Sequence, residues 1–173
     1  MDSLNALALK IEHGDARAFE RVYNQLHRLV FSVCLSIVKR KELAEELTQE
    51  TFVAVWQKSG EFNGQNYKAW VLTIAKNKAL NALKKARREQ AVDFTENEYL
   101  LGSYTLDDRD LGAVLSSALR KLPEDEAQIV LLKNSGMKTK EIAEYLGEPR
   151  GTVSWRYSKA IKTLQNYLKE AEL

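Results

Sequence analysis

The chain has one cysteine, two histidines and two prolines in 173 residues, and each shortage removes a class of protein. A single cysteine excludes an intramolecular disulfide, and the apolar setting Leu29-Val30-Phe31-Ser32-Val33-Cys34-Leu35 reads as that of a buried thiol. His13 and His27 have no company that resembles a metal site. A glycine-rich phosphate loop and a recognisable nucleophile motif are missing as well. The expectation is therefore a protein that is not an enzyme, with no catalytic residue, no metal and no cofactor. No uninterrupted apolar run reaches the ~18 residues of a membrane helix, and Met1-Asp2-Ser3-Leu4-Asn5 lacks the basic start of a signal peptide, which points to the cytoplasm. What is present, 45% apolar and 29% charged residues, is the composition of a soluble globular protein of one or two small domains.

The net charge of +2 conceals a segregation. Residues 1–60 carry eight basic and eight acidic groups, and 61–90 hold seven basic against two acidic. Residues 91–112 reverse the balance, with Asp93, Glu96, Glu98, Asp107, Asp108 and Asp110 against Arg109 alone. The remainder, 113–173, has ten basic and eight acidic groups. Charge is thus organised by segment, which the bulk value conceals.

Helical periodicity dominates, and no convincing alternating strand is present. An all-α fold follows, with helices predicted over 3–12, 15–38, 42–58 and 67–88 in a first lobe. Breaks fall at Gly14-Asp15, at Arg40-Lys41 and across Ser59 to Asn66. Segment 89–110 loses the helical pattern, gathers acid and includes Gly102-Ser103, as a flexible linker does. A second lobe, 111–173, is predicted to hold helices at 111–121, 124–135, 139–146 and 151–169. Pro123 stands at a helix start, and Glu124, Asp125 and Glu126 complement that helix's positive end.

The most informative stretch is the last quarter. Lys138-Thr139-Lys140-Glu141-Ile142-Ala143-Glu144-Tyr145-Leu146-Gly147 leads into Gly151-Thr152-Val153-Ser154-Trp155-Arg156-Tyr157-Ser158-Lys159-Ala160, which reads as a helix-turn-helix. Val153, Tyr157, Ala160, Ile161, Leu164 and Leu168 recur in steps of three or four and define a buried stripe. Thr152, Ser154, Trp155, Arg156, Ser158, Lys159 and Lys162 are left for the opposite face, where hydroxyls and cations suit phosphates and base edges. The plainer reading is a two-helix packing unit with a solvated basic face.

Two faces of the first lobe also invite partners. In helix 42–58, Leu43, Leu47, Thr51 and Val55 form an inward stripe, leaving Glu45, Gln49, Phe52, Val53 and Trp56 along another. Acidic at one end and aromatic at the other, that second stripe suits a helix bearing cations, unless Phe52 and Trp56 fill the lobe's own core. In helix 67–88, Thr73, Asn77, Asn81, Lys84 and Arg88 share a face that could hold phosphates through cations and read exposed bases through amides. The preceding loop adds Phe62, Asn63, Gln65 and Asn66, groups able to stack on or hydrogen-bond an unpaired base. An ordinary solvated helix with a polar loop would look the same.

Four motifs in order join these pieces: Ala44-Glu45-Glu46-Leu47-Thr48-Gln49-Glu50-Thr51-Phe52 with Trp56, then Ala69-Trp70-Val71-Leu72-Thr73-Ile74-Ala75-Lys76-Asn77, then Leu122-Pro123-Glu124, then Gly151-Thr152-Val153. The set resembles the extracytoplasmic-function sigma factors of bacterial RNA polymerase, over about Asp15 to Leu168. The resemblance implies a first lobe, region 2, that docks on a coiled coil of the polymerase β′ subunit and opens the minus-ten element. It implies a second lobe, region 4, that reads the minus-thirty-five element in duplex DNA. Glu45, Glu46, Gln49, Glu50 and Phe52 match the polymerase-docking motif, with Trp56 beside them. Lys76, Asn77 and Asn81 match the minus-ten helix, with Lys84 one turn further, and Phe62, Asn63 and Asn66 lie in the loop corresponding to the one that captures a flipped base. Thr152, Ser154, Trp155, Arg156 and Lys159 occupy recognition-helix positions. The acidic linker resembles the family segment that runs near the RNA path, and an anti-sigma partner is implied too. Asn81 stands where aspartate is frequent, Ser154 where a basic residue is frequent and Trp155 where a small hydroxyl residue is usual. Two other functions fit the residues alone: a dimeric helix-turn-helix regulator independent of polymerase, and a helical adaptor using the Glu45 to Trp56 stripe.

Overall fold

The computed structural model describes residues 3–89 and 121–171. Among them it has seven α-helices, one 3-10 turn and no strand. The helices are α1 (Leu4–Glu12), α2 (Ala16–Val38), α3 (Lys41–Gln57), α4 (Tyr67–Glu89), α5 (Glu124–Asn134), α6 (Thr139–Leu146) and α7 (Arg150–Ala171), with the 3-10 turn at Ser59–Glu61. The all-α expectation holds, and the chain divides into two compact units, the first carrying α1 to α4 and the second α5 to α7. The helix expected at 111–121 and the acidic linker after Glu89 lie outside the described residues. No helix among those described is long and apolar enough to cross a membrane.

Local chemistry sets the helix starts of the first unit. Ser3 caps α1 by accepting from Ala6 N at 3.2 Å, and Asp15 caps α2 by accepting from Arg17 N and Ala18 N at 2.9 and 3.0 Å. Gly14 turns the chain between them at φ 82°, a left-handed conformation that glycine adopts without strain. Helix α2 packs against α1 and α4, and Val22, Leu26, Leu29, Val30, Val33 and Cys34 of α2 are buried, as are Leu7 and Ile11 of α1 and Val71, Leu72 and Ala75 of α4. Burial raises the Cys34 thiol to about 11, against a smaller opposing effect of its hydrogen bond with Thr48.

In the second unit α5 and α6 both pack on α7. Leu122, Val130 and Leu131 meet Ala160 and Leu164, with Tyr157, Ile161 and Tyr167 half-buried around them. Helix α6 ends on Gly147, whose φ of 69° is the left-handed cap expected of it, and Glu148 N closes the turn onto Ala143 O at 3.0 Å. Glu141 accepts from Lys138 N at 2.7 Å and fixes the start of α6. The buried positions of α7, Val153, Ala160 and Leu164, fall on the periodic stripe, so its polar face turns to solvent.

Candidate nucleic-acid and polymerase interfaces

Helix α4 begins on an asparagine cap, where Asn66 Oδ1 accepts from Ala69 N at 3.1 Å. Its core side is Tyr67, Val71, Leu72, Ala75 and Ala79. The opposite side exposes Thr73, Asn77, Asn81, Lys84 and Arg88, with Lys76 half-buried at its margin. Toward the C-terminal end, Asn81, Lys84, Lys85, Arg88 and Glu89 line a shallow open depression. Amides therefore occupy the middle of this face and cations its end.

The loop before α4 is braced from within and from α1. Asn63 Oδ1 accepts from Gln65 N at 3.2 Å, forming a short turn. Phe62 is half-buried, its ring 5.0 Å from Tyr67 and 5.8 Å from Trp70, and these two stack at 5.4 Å. Asn5 of α1 adds a two-sided clamp, donating from Nδ2 to Gln65 O at 2.8 Å and accepting at Oδ1 from Tyr67 N at 2.9 Å. Thus Asn63 and Asn66, expected as base contacts, each commit a carbonyl oxygen to shaping the loop, and only their remaining polar groups are left to face a base. The Tyr67 hydroxyl is buried without a partner, and burial raises it to about 12.

On α3, Glu45, Glu46, Gln49, Glu50, Val53 and Trp56 are exposed in steps that keep them on one side. Phe52 is not among them. Only 3% of it is exposed, and its ring packs edge-on against Tyr23 at 4.8 Å and Phe19 at 6.3 Å. The docking assignment of Phe52 is therefore corrected to a core role, since its side chain supports the stripe from below. Trp56 is partly exposed and leans on Phe19 at 5.2 Å. Glu50 meets Lys78 of α4 at 3.3 Å, an exposed pair of small energetic value.

Along α7, Ser154, Trp155 and Lys159 are exposed and Thr152 and Arg156 half-buried. Arg156 is occupied: Nη1 donates to both oxygens of Glu148 at 2.8 and 2.7 Å, and Nε lies 3.3 Å from Asp125. The hydrogen bond to Glu148 pushes the Arg156 pKa further up. Lys159 donates to Glu126 at 2.8 Å and also sits 5.4 Å over the Trp155 ring. Acids from the first turn of α5 and from the turn before α7 thus meet two of the cations on this face.

Sigma-70 region 2 matches residues 22–89, and sigma-70, region 4 matches residues 113–164. The RNA polymerase sigma factor CarQ of Myxococcus xanthus is 30% identical over 168 residues, 95% of this chain and 97% of CarQ. The chain belongs to the extracytoplasmic-function sigma factors. The ECF sigma factor BldN of Streptomyces coelicolor is 27% identical over 172 residues, 95% of this chain but 65% of BldN, so the chain spans just under two thirds of that relative. Among solved structures, the sigma factor RpoE of Bartonella quintana, crystallised with the anti-sigma factor NepR, is 27% identical with a TM-score of 0.62 over 89% of this chain and 98% of that one. Sigma factors are transcription initiation factors and not enzymes, so the chemistry of this one is binding.

For this sigma factor the fold brings Thr73, Asn77, Asn81 and Lys84 onto one exposed face and groups Thr152, Trp155 and Lys159 on another. The residue that sequence reasoning missed is Asn5, which lies before the matched region 2 and reaches Gln65 and Tyr67 some 60 positions away. Nothing local marks it, since Leu4-Asn5-Ala6 reads as an ordinary first helical turn.

Proposed function

We propose that this sigma factor binds core RNA polymerase and selects promoters through two DNA contacts, one to each of its lobes, 1–88 and 111–173, joined by the acidic segment 89–110. Glu45, Glu46, Gln49 and Glu50, with Trp56 at the end of their stripe, dock on the cationic side of the β′ coiled coil. Carboxylates on one exposed helix face give a charge-complementary surface for it. Lys76, Asn77, Asn81 and Lys84, with the loop of Phe62, Asn63 and Asn66, hold the unpaired minus-ten strand. Unstacking a base costs a few kcal/mol, which stacking on an aromatic ring and amide hydrogen bonds must offset. Thr152, Ser154, Trp155, Arg156 and Lys159 face the minus-thirty-five duplex. The setting is the bacterial cytoplasm, and the similarity to RpoE, crystallised with an anti-sigma factor, supports a protein partner of that kind for this chain.

The observation that carries the reading is the exposed amide-and-cation face of α4 on the same unit as the acidic stripe of α3. It is tested by measuring promoter binding with the chain alone and with core polymerase, alongside its mass in solution. A monomer that binds specifically only with polymerase supports the proposal. A dimer that binds duplex DNA alone would favour the polymerase-independent regulator, and a chain binding neither DNA nor polymerase would favour the adaptor.

A further inference from the structure

We propose that Trp155 reads the methyl group of one thymine in the minus-thirty-five element, and that Glu126, on α5, acts as a positioning residue that holds the indole through Lys159. The inference rests on the region 4 reading above and adds to it a base and a mechanism. Trp155 is the most exposed of the large apolar side chains in the described residues, at 63%. One turn on, the Lys159 ammonium sits 5.4 Å from the centre of its ring. A lysine head ordinarily samples many rotamers, but this one is hydrogen-bonded at 2.8 Å to Glu126, which is only 4% exposed. The buried acid fixes the cation, and the cation attracts the face of the indole.

The neighbouring Arg156 makes the base preference sharper. An arginine fork is the commonest reader of guanine in the major groove, yet this guanidinium already meets both oxygens of Glu148 and the carboxylate of Asp125. Of its nitrogens only Nη2 is not engaged by these acids, so a bidentate fork on guanine, which needs two nitrogens, would break one of those pairs. An indole has a single donor and a broad apolar surface, and the apolar feature a base pair offers in the major groove is the thymine methyl. The arrangement favours a thymine contact over a guanine contact at the position Trp155 meets.

The test uses holoenzyme assembled from the full chain and core polymerase, on promoters recovered by mapping its transcription starts. Thymines of the upstream element are replaced singly by deoxyuridine, which removes only the methyl. One replacement should weaken wild-type binding about fourfold, the value of one methyl-sized group withdrawn from water. Trp155→Ala should bind the two duplexes equally, Glu126→Gln should shrink the difference, and Lys159→Arg, which keeps a cation over the ring, should retain it. If Glu126→Gln unfolds the second lobe, Lys159→Gln tests the same link from the exposed side and should also shrink the difference. Insensitivity of the wild type to every replacement, or equal sensitivity in Trp155→Ala, overturns the proposal while leaving the sigma reading intact. Starts that share no upstream element would overturn both.

Discussion

Asn5 offers the most searching test of how the first unit holds the loop before α4, to which the proposal assigns minus-ten DNA. Its side chain makes two hydrogen bonds to the loop before α4, at 2.8 and 2.9 Å, and Asn5→Ala removes both. A net hydrogen bond contributes about 1 kcal/mol, and a partly buried donor left without a partner costs about 1–3 kcal/mol. Gln65 O is exposed and water can replace its partner, whereas Tyr67 N is half-buried. The expected destabilisation of the first unit is therefore about 1–3 kcal/mol, each kcal/mol corresponding to a midpoint shift of roughly 4–8 °C in a domain of that size. Far-ultraviolet circular dichroism of the full chain measures it. The functional consequence should be selective: with the loop released, permanganate reactivity of minus-ten thymines in the holoenzyme falls, while core affinity, assigned to α3, stays as in the wild type. Asn5→Asp keeps the acceptor for Tyr67 N and should lie between. A wild-type midpoint together with wild-type permanganate reactivity in Asn5→Ala would refute the clamp.

Other outcomes follow from the same geometry. Glu50→Lys should leave folding nearly unchanged, because it costs only an exposed pair with Lys78 worth less than about 1 kcal/mol, yet weaken core polymerase binding; unaltered core affinity would count against the docking stripe. Asn77→Ala should impair strand opening more than recruitment, so normal permanganate reactivity would remove Asn77 from the melting face. Phe52→Ala should cost about 3–5 kcal/mol in denaturant unfolding, and a stable Phe52→Ala that fails to bind polymerase would return Phe52 to the surface role. Cys34 should resist thiol reagents in the folded chain near neutral pH. Its raised pKa of about 11 against 9.0 means the folded state keeps a proton that the unfolded state loses, so stability is unaffected below about pH 9 and falls as pH rises toward 11. The fall should be smaller in Cys34→Ala, and identical pH profiles would disprove it.

Much of the architecture was legible because it rests on periodic burial and on caps that sit within a few residues of what they cap. The buried stripe of α7, the left-handed Gly147 and the exposed row from Thr73 to Arg88 are all local consequences of the order of residues. Phe52 shows where periodicity stops. Helix α3 has two neighbouring apolar rows, and Phe19 and Tyr23 of α2 close over Phe52, on a row with the buried Ala44 and Thr48, while Leu43 is half-buried. Loop 60–66 was legible as a loop but not as a braced one, since its clamp comes from Asn5 across the whole first unit. On α7 the cations were legible and their partners were not: Glu148 is eight positions from Arg156 and Glu126 is 33 from Lys159. Charge on a helical face can be counted from a sequence, but its neutralisation depends on tertiary packing.

The most direct test of the central claim is transcription by sigma-free core polymerase on fragmented host DNA, with and without this protein, reading the 5′ ends of the RNA. The expected result is a set of new starts that share two upstream elements. Absence of new starts from a preparation that binds core, while a control sigma factor works in parallel, would contradict it.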